Sequence, residues 1–290
     1  MGIADSIPGV SGGTVAMIVG IYERLIQAIS NFNAKFLTLL LQRKWTAAFQ
    51  HVDFGFLMLL LLGIAAGLGA SSVVMHDLLR NHLPVTFAAF MGMILASVVI
   101  LFRKIAHKTF ACGIAMVLGA AAAYFITTMN QLTGQDGNLL YVFGCGLIAI
   151  CAMILPGISG SYVLLILGEY APIIGRVKEL AQGRTTVPDF LTLCVFGCGC
   201  VLGLLCFSHF LKYLLKNHHS VTLSVLTGFM IGSLRCLWPF QQQVGKAFEM
   251  LPMNHFTQQT QINALCALLA GLVGVLLLEK IAGSFAKTSR

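Results

Sequence analysis

The sequence predicts an all-α polytopic membrane protein, a single transmembrane domain over residues 1–290 built as an inverted repeat of two units. Each unit is a re-entrant broken-helix hairpin plus three transmembrane helices. Three observations predict this. Apolar residues make up 58% of the chain and charged residues only 10%, and several runs reach the roughly 18 to 20 apolar residues that cross a bilayer. A short turn is spelled twice, as Pro8-Gly9-Val10-Ser11-Gly12-Gly13-Thr14 and as Pro156-Gly157-Ile158-Ser159-Gly160-Ser161-Tyr162; at the same offset of 148, Val15 falls on Val163, Ile18 on Ile166, Gly20 on Gly168 and Tyr22 on Tyr170. A second block, Val85-Thr86 with Gly92 and Ser97, aligns at an offset of 136 with Val221-Thr222, Gly228 and Ser233.

The turns come first because they set the architecture. Pro8-Gly9 and Pro156-Gly157 each stop a helix, and the Ser and Gly residues that follow suit a tight turn that starts another. In hydrocarbon an unpaired backbone group costs several kcal/mol, so such a break persists only where it faces protein, water or a ligand. Repeat unit one is read as 1–130 and unit two as 138–283. Residues 138–155 lead into the second turn, whereas Met1 to Ile7 alone precede the first, so the first leading helix is expected to be truncated.

In chain order, Thr14 to Ile29 reads as an apolar helix leaving the first turn, and Asn31 to His51 as an amphipathic connection with Lys35, Arg43, Lys44 and Trp45 at the membrane interface. Phe54 to about Val74, Pro84 to Phe102 and Thr109 to Met129 read as spans, followed by a polar loop. Leu139 to Leu155 leads into the second turn and Tyr162 to about Ile174 leaves it. Phe190 to Leu211, Val221 to Trp238 and, after another polar loop, Ile262 to Leu278 complete the second unit. A hairpin enters and leaves on one side, so three further crossings invert the second unit relative to the first. With the 31–51 connection in the cytoplasm, Arg103, Lys104, Lys108, Lys212, Lys216, Lys280, Lys287 and Arg290 fall there too, in keeping with the positive-inside rule, while Arg176, Lys178 and Arg184 dissent. Inverted repeats of this kind are the arrangement many secondary transporters use.

The candidate chemistry follows from the breaks. A half helix that begins inside the membrane aims free N–H groups and the positive end of its dipole at an anion such as phosphate. Ser11, Thr14, Ser159 and Ser161 add hydroxyls, and Gly12, Gly13 and Gly160 let a ligand approach the backbone. The competing reading is that these Ser and Gly residues only permit tight packing. Ionisable residues in apolar segments are expensive: Arg24 and Arg235 would balance a phosphate, while Asp5, Glu23 and Glu169 would exchange a proton or form ion pairs. The possible coupling ion is a proton or sodium.

Other classes are disfavoured. The net charge is +8, but the basic residues are spread over short loops, so no nucleic-acid partner is expected. The nine cysteines lie in apolar segments, which favours small core residues over a disulfide or metal site. No cofactor is indicated. Gly9-Val10-Ser11-Gly12-Gly13 is a literal G-x-S-x-G, but its second copy places Ser161 where the last Gly stands, and no His and acid partners are evident.

The string Ala4-Asp5-Ser6-Ile7-Pro8-Gly9-Val10-Ser11-Gly12-Gly13-Thr14, with Gly20-Ile21-Tyr22-Glu23-Arg24-Leu25-Ile26, resembles the signature of a bacterial membrane family now described as the PopT-type polyprenyl-phosphate transporters. The second turn and the segment from Gly228 to Trp238 are similar to it too, so the resemblance covers essentially the whole chain. It implies a non-enzymatic transporter of the cytoplasmic (inner) membrane that recycles undecaprenyl phosphate, the lipid carrier of cell-wall precursors, between leaflets. The partners it implies are that lipid phosphate and the membrane lipids. The sequence itself names no tail; transport of a small soluble anion is the alternative, and a membrane enzyme acting on a lipid phosphate the next.

Overall fold

The computed structural model describes residues 1–2, 11–129, 132, 138–244 and 247–288, and its side chains outside 71–76, 79–80, 242–249, 278 and 281–288. Asp5, Pro8 and Gly9 lie outside the described residues. Thirteen α-helices are described: α1 (Gly12–Val19), α2 (Tyr22–Ser30), α3 (Ala34–Leu41), α4 (Trp45–His51), α5 (Phe54–Asn81), α6 (Leu83–Lys104), α7 (Phe110–Thr128), α8 (Leu139–Ile154), α9 (Gly160–Ile166), α10 (Tyr170–Ala181), α11 (Val187–Asn217), α12 (His219–Ser233) and α13 (Gln258–Thr288). Five of these regions are long and apolar enough to cross a membrane, or six when α4 and the start of α5, bent by 61°, count as one broken span. The chain is a multi-pass membrane protein.

Two sequence expectations need correction. Each turn was expected to open into one apolar helix, but both such helices break: α1 stops at Gly20 and α9 is separated from α10 by Gly168, with φ of 79° and 77°. These left-handed glycines occupy matching places at the repeat offset, and the apolar pattern runs on across them, which hides the break from periodicity. The loop after α12 is not purely irregular. A 3₁₀ turn (Leu234–Leu237) leads to a short antiparallel ladder, β1 (Gln241–Val244) with β2 (Ala247–Met250), in which Gln241 pairs with Met250.

Two helix pairs join the first and second halves of the chain. α6 pairs with α13: a Cβ on Gly92 would stand 2.0 Å from the Leu268 carbonyl oxygen, and one on Gly271 would stand 2.2 Å from that of Ala89. α7 pairs with α12 in the same way, Gly228 against the Met116 oxygen at 2.1 Å and Gly119 against that of Val225 at 2.4 Å. Only glycine lets these backbones come so close. Both pairs run in parallel. Ala88 packs with Ala264 and Ala96 with Val275, while Gly119 meets Val225 and Gly232 meets Ala120 and Ala123. A third pair, α8 with α11, uses Gly146, Gly199 and Gly203. The main buried cluster joins both halves of the chain through Tyr22, Ile26, Phe87, Ile94, Leu226 and Met230. Large apolar side chains such as Leu59, Phe125, Val201 and Leu265 face outward, as lipid contact requires.

Candidate functional site

The two duplicated turns meet. Ser11 caps α1, its Oγ accepting from the Gly13 N–H at 3.1 Å, and the hydroxyl lies 3.3 Å from the Met153 oxygen and 3.4 Å from that of Leu155. The Gly157 N–H donates to Thr14 Oγ1 at 2.9 Å, and the Tyr22 hydroxyl donates to the Ile154 oxygen at 3.1 Å. The Met153 and Ile154 carbonyls at the end of α8, and the Gly157 N–H beyond it, are therefore met by Ser11, Tyr22 and Thr14 respectively. This is what an interrupted helix in hydrocarbon needs. Gly13 is tied to the same contact, since a Cβ there would stand 2.8 Å from the Ile154 oxygen. Gly12, Gly13, Ser11 and Thr14 are all buried in it.

The second turn uses its serines differently. Ser159 stands at the N-cap of α9 without capping it, and its Oγ lies 2.7 Å from that of Ser161, which is exposed. Pro156, Gly157 and Gly160 are buried. Gly160 packs on α8, where a Cβ would meet the Ala149 oxygen at 2.5 Å. Gly157, at φ 92°, lies against Met230 and Ser233 near the end of α12. Arg235 follows Ser233 by two residues, so the second turn and this arginine share one end of α12.

Arg235 is exposed, with Nη1 donating to the Tyr124 hydroxyl at 2.8 Å and the guanidinium carbon 5.1 Å from the centre of that ring. Tyr162, next to Ser161, donates to the Thr127 oxygen at 3.0 Å, three residues along α7 from Tyr124. Among the described residues Arg235 makes no ion pair. Two hydroxyls, two phenols and a cation that has no carboxylate partner among the described residues are thus gathered around the second turn.

The remaining charged candidates lie elsewhere. Arg24 pairs with Asp53 at 2.7 Å and rests over the Phe56 ring at 4.4 Å. The guanidinium hydrogen bond holds the Asp53 carboxyl below its usual range. The Glu23 carboxylate accepts from His219 Nε2 at 3.1 Å, at the opposite end of α12 from Arg235. Fifteen helical residues separate those ends, about 20 Å at 1.5 Å per residue. The structure does not bring Arg24 and Arg235 to one ligand. Glu169 is buried beside Tyr170 at the break between α9 and α10, on the second unit alone.

A profile of a VCA0040-like family, described as undecaprenyl phosphate translocase-like, matches residues 1–252. The chain belongs to this family. It is 37% identical over 298 residues to a polyprenyl-phosphate transporter of Vibrio cholerae serotype O1 (strain ATCC 39315 / El Tor Inaba N16961), covering 97% of this chain and 94% of that protein. A polyprenyl-phosphate transporter of Staphylococcus aureus (strain NCTC 8325 / PS 47) is 30% identical over 250 residues, covering 82% of this chain and 83% of its own. No solved structure matches. The sequence named the residues of both turns and Arg235 as candidates, and it did not name Tyr124 or Tyr162, which the structure places beside them. Their only signal in the sequence is an aromatic near the end of a spanning helix and another directly after the turn, and neither pattern points to a ligand.

Proposed function

We propose that the chain translocates undecaprenyl phosphate across the bacterial cytoplasmic membrane for reuse in cell-envelope synthesis, without chemical conversion of the lipid. The phosphate is held at the second Pro-Gly-x-Ser-Gly turn by Ser159, Ser161 and the backbone at Gly160, with Arg235 as its countercharge. Ser11 and Thr14, with Gly12 and Gly13, clamp the first turn to the second. The observation that carries this reading is the position of Arg235 beside the second turn, a cation with a phenol rather than a carboxylate for a partner among the described residues. In a low-dielectric site such a cation favours an anion far more than it would in water.

The proposed architecture is an inverted repeat with re-entrant hairpins. It is supported by the parallel exchange of α6 with α13 and of α7 with α12. The short connection at 105–109 reverses the chain between α6 and α7, so the matched helices α6 and α12 run in opposite senses. Glu169 is assigned to coupling with a proton or sodium, because a carboxyl buried within a membrane protein is costly to keep without a use; Glu23 and Arg24 belong to the polar end that joins the units. The test is binding of undecaprenyl phosphate, undecaprenol and inorganic phosphate to the purified protein. Tight binding of the lipid phosphate alone, weakened in Arg235→Ala, is expected. Competition by inorganic phosphate at equal strength would favour a small-anion transporter, and equal binding of the alcohol would remove the headgroup from the account.

A further inference from the structure

At the end of the bundle opposite Arg235, two lysines and a histidine are held together by two asparagines. Lys212, in the last two turns of the spanning helix α11, donates from Nζ to Asn31 Oδ1 at 2.9 Å. The Asn31 amide donates in turn to the His51 oxygen at 2.8 Å. The His51 ring lies 3.4 Å from Asn33 Oδ1, which also accepts from the Lys35 N–H at 3.0 Å. This chain of contacts ties α11 to the start of α3 and the end of α4. Both ammonium groups stand close enough to act electrostatically on the His51 imidazole.

Among the described residues neither lysine has a carboxylate partner, because the acids of this end are engaged elsewhere, Asp53 with Arg24 and Glu23 with His219. Lys212 is half-buried and meets only a neutral amide. An ammonium so placed on a spanning helix is costly without a countercharge. The level is that of lipid headgroups: α11 ends at Asn217, and α5 begins at Phe54, three residues after His51. Beside the cluster α3 buries no residue, and Leu37, Leu41, Trp45 and Phe49 of α3 and α4 are exposed. Arg43 and Lys44, between those two helices, are exposed as well. Outward apolar side chains next to uncompensated positive charge match a lipid with an anionic headgroup; a soluble anion supplies no apolar contact and a neutral lipid no countercharge.

We infer that Lys35 and Lys212, positioned by Asn33 and Asn31, form a headgroup site for an anionic phospholipid of the surrounding bilayer. The lipid phosphate sits between the two ammonium groups, and its acyl chains run along the exposed apolar side chains of α3 and α4. The site lies a helix's length from Arg235 and is independent of the one proposed there. Its occupant supplies the negative charge that the protein withholds from Lys212, and it joins the α3–α4 hairpin to α11 through one headgroup.

The test uses the fluorescence of Trp45, which stands about 9 Å along α4 from His51, in protein whose second tryptophan is removed by Trp238→Phe. The protein is placed in liposomes of mixed phosphatidylcholine and phosphatidylglycerol, with bromine on the acyl chains of one lipid or the other; bromine quenches Trp45 where that lipid touches it. At equal lipid content, stronger quenching by brominated phosphatidylglycerol is expected. The preference should fall about fivefold for each of Lys35→Gln and Lys212→Gln, and persist when both are replaced by Arg, which keeps the charge and separates its loss from misfolding. Equal quenching by the two lipids, or a preference undiminished in the double Gln variant, would overturn the site. Displacement of brominated phosphatidylglycerol by one equivalent of polyprenyl phosphate would hand the cluster to the transported lipid and overturn the phospholipid occupant.

Discussion

Ser11 and Ser159 are the same letter at the same place in a repeated motif, yet they meet different surroundings. Ser11 is 2% exposed and caps its helix against the carbonyls of the opposite turn, while Ser159 faces Ser161 at a part-open surface. Their types and spacing were legible in the sequence. Which copy would be consumed by packing was not, because the partner of Thr14 lies 143 residues away. The difference gives opposite outcomes. Thr14→Val leaves the Gly157 N–H buried without its acceptor, a loss of about 1–3 kcal/mol, expected as a lower melting temperature in detergent with phosphate selectivity retained. Ser159→Ala with Ser161→Ala leaves melting unchanged and weakens lipid-phosphate binding, and Arg235→Ala does so by about tenfold or more. Titration of fluorescence or heat against lipid phosphate separates the two sets.

At the scale of elements, glycine contacts decide which helices can exchange. Gly92 with Gly271 and Gly228 with Gly119 repeat one geometry on the two sides of the molecule, each facing the carbonyl three residues before its partner glycine. The matched glycines at 92 and 228 were visible as a sequence repeat, but the partners were not, since nothing in a single helix states which neighbour its small face meets. Gly228→Leu is expected to force α7 and α12 apart, at about 1–3 kcal/mol or more, and to aggregate or lower the melting temperature sharply. Gly63→Ala, on α5 where no atom stands within 4 Å of a new Cβ, should instead be neutral or slightly stabilising. Equal melting of the two variants would refute the exchange geometry. The breaks at Gly20 and Gly168 were missed for a related reason: hydropathy does not register a backbone turning left-handed.

Across the whole molecule, composition and the length of the apolar runs foretold a multi-pass membrane protein, and the five or six apolar spans agree. The ends of the bundle carry different chemistry. At one end Glu23 meets His219, Arg24 meets Asp53 and Lys212 donates to Asn31; at the other, Arg235 stands beside the second turn with its phenol partner. The sequence offered both arginines as one countercharge because it contains no distances, and a helix's length between them keeps the two from sharing one phosphate; the proposed site takes Arg235. The exposed Arg24–Asp53 pair is screened by salt, so Arg24→Ala should leave transport near wild type.

The most direct measurement is movement of a fluorescent polyprenyl phosphate between leaflets of liposomes carrying the purified protein. The account predicts faster movement than in protein-free liposomes, lost in Arg235→Ala and kept in Arg24→Ala. Movement no faster than in empty liposomes, or undiminished in Arg235→Ala, would contradict it.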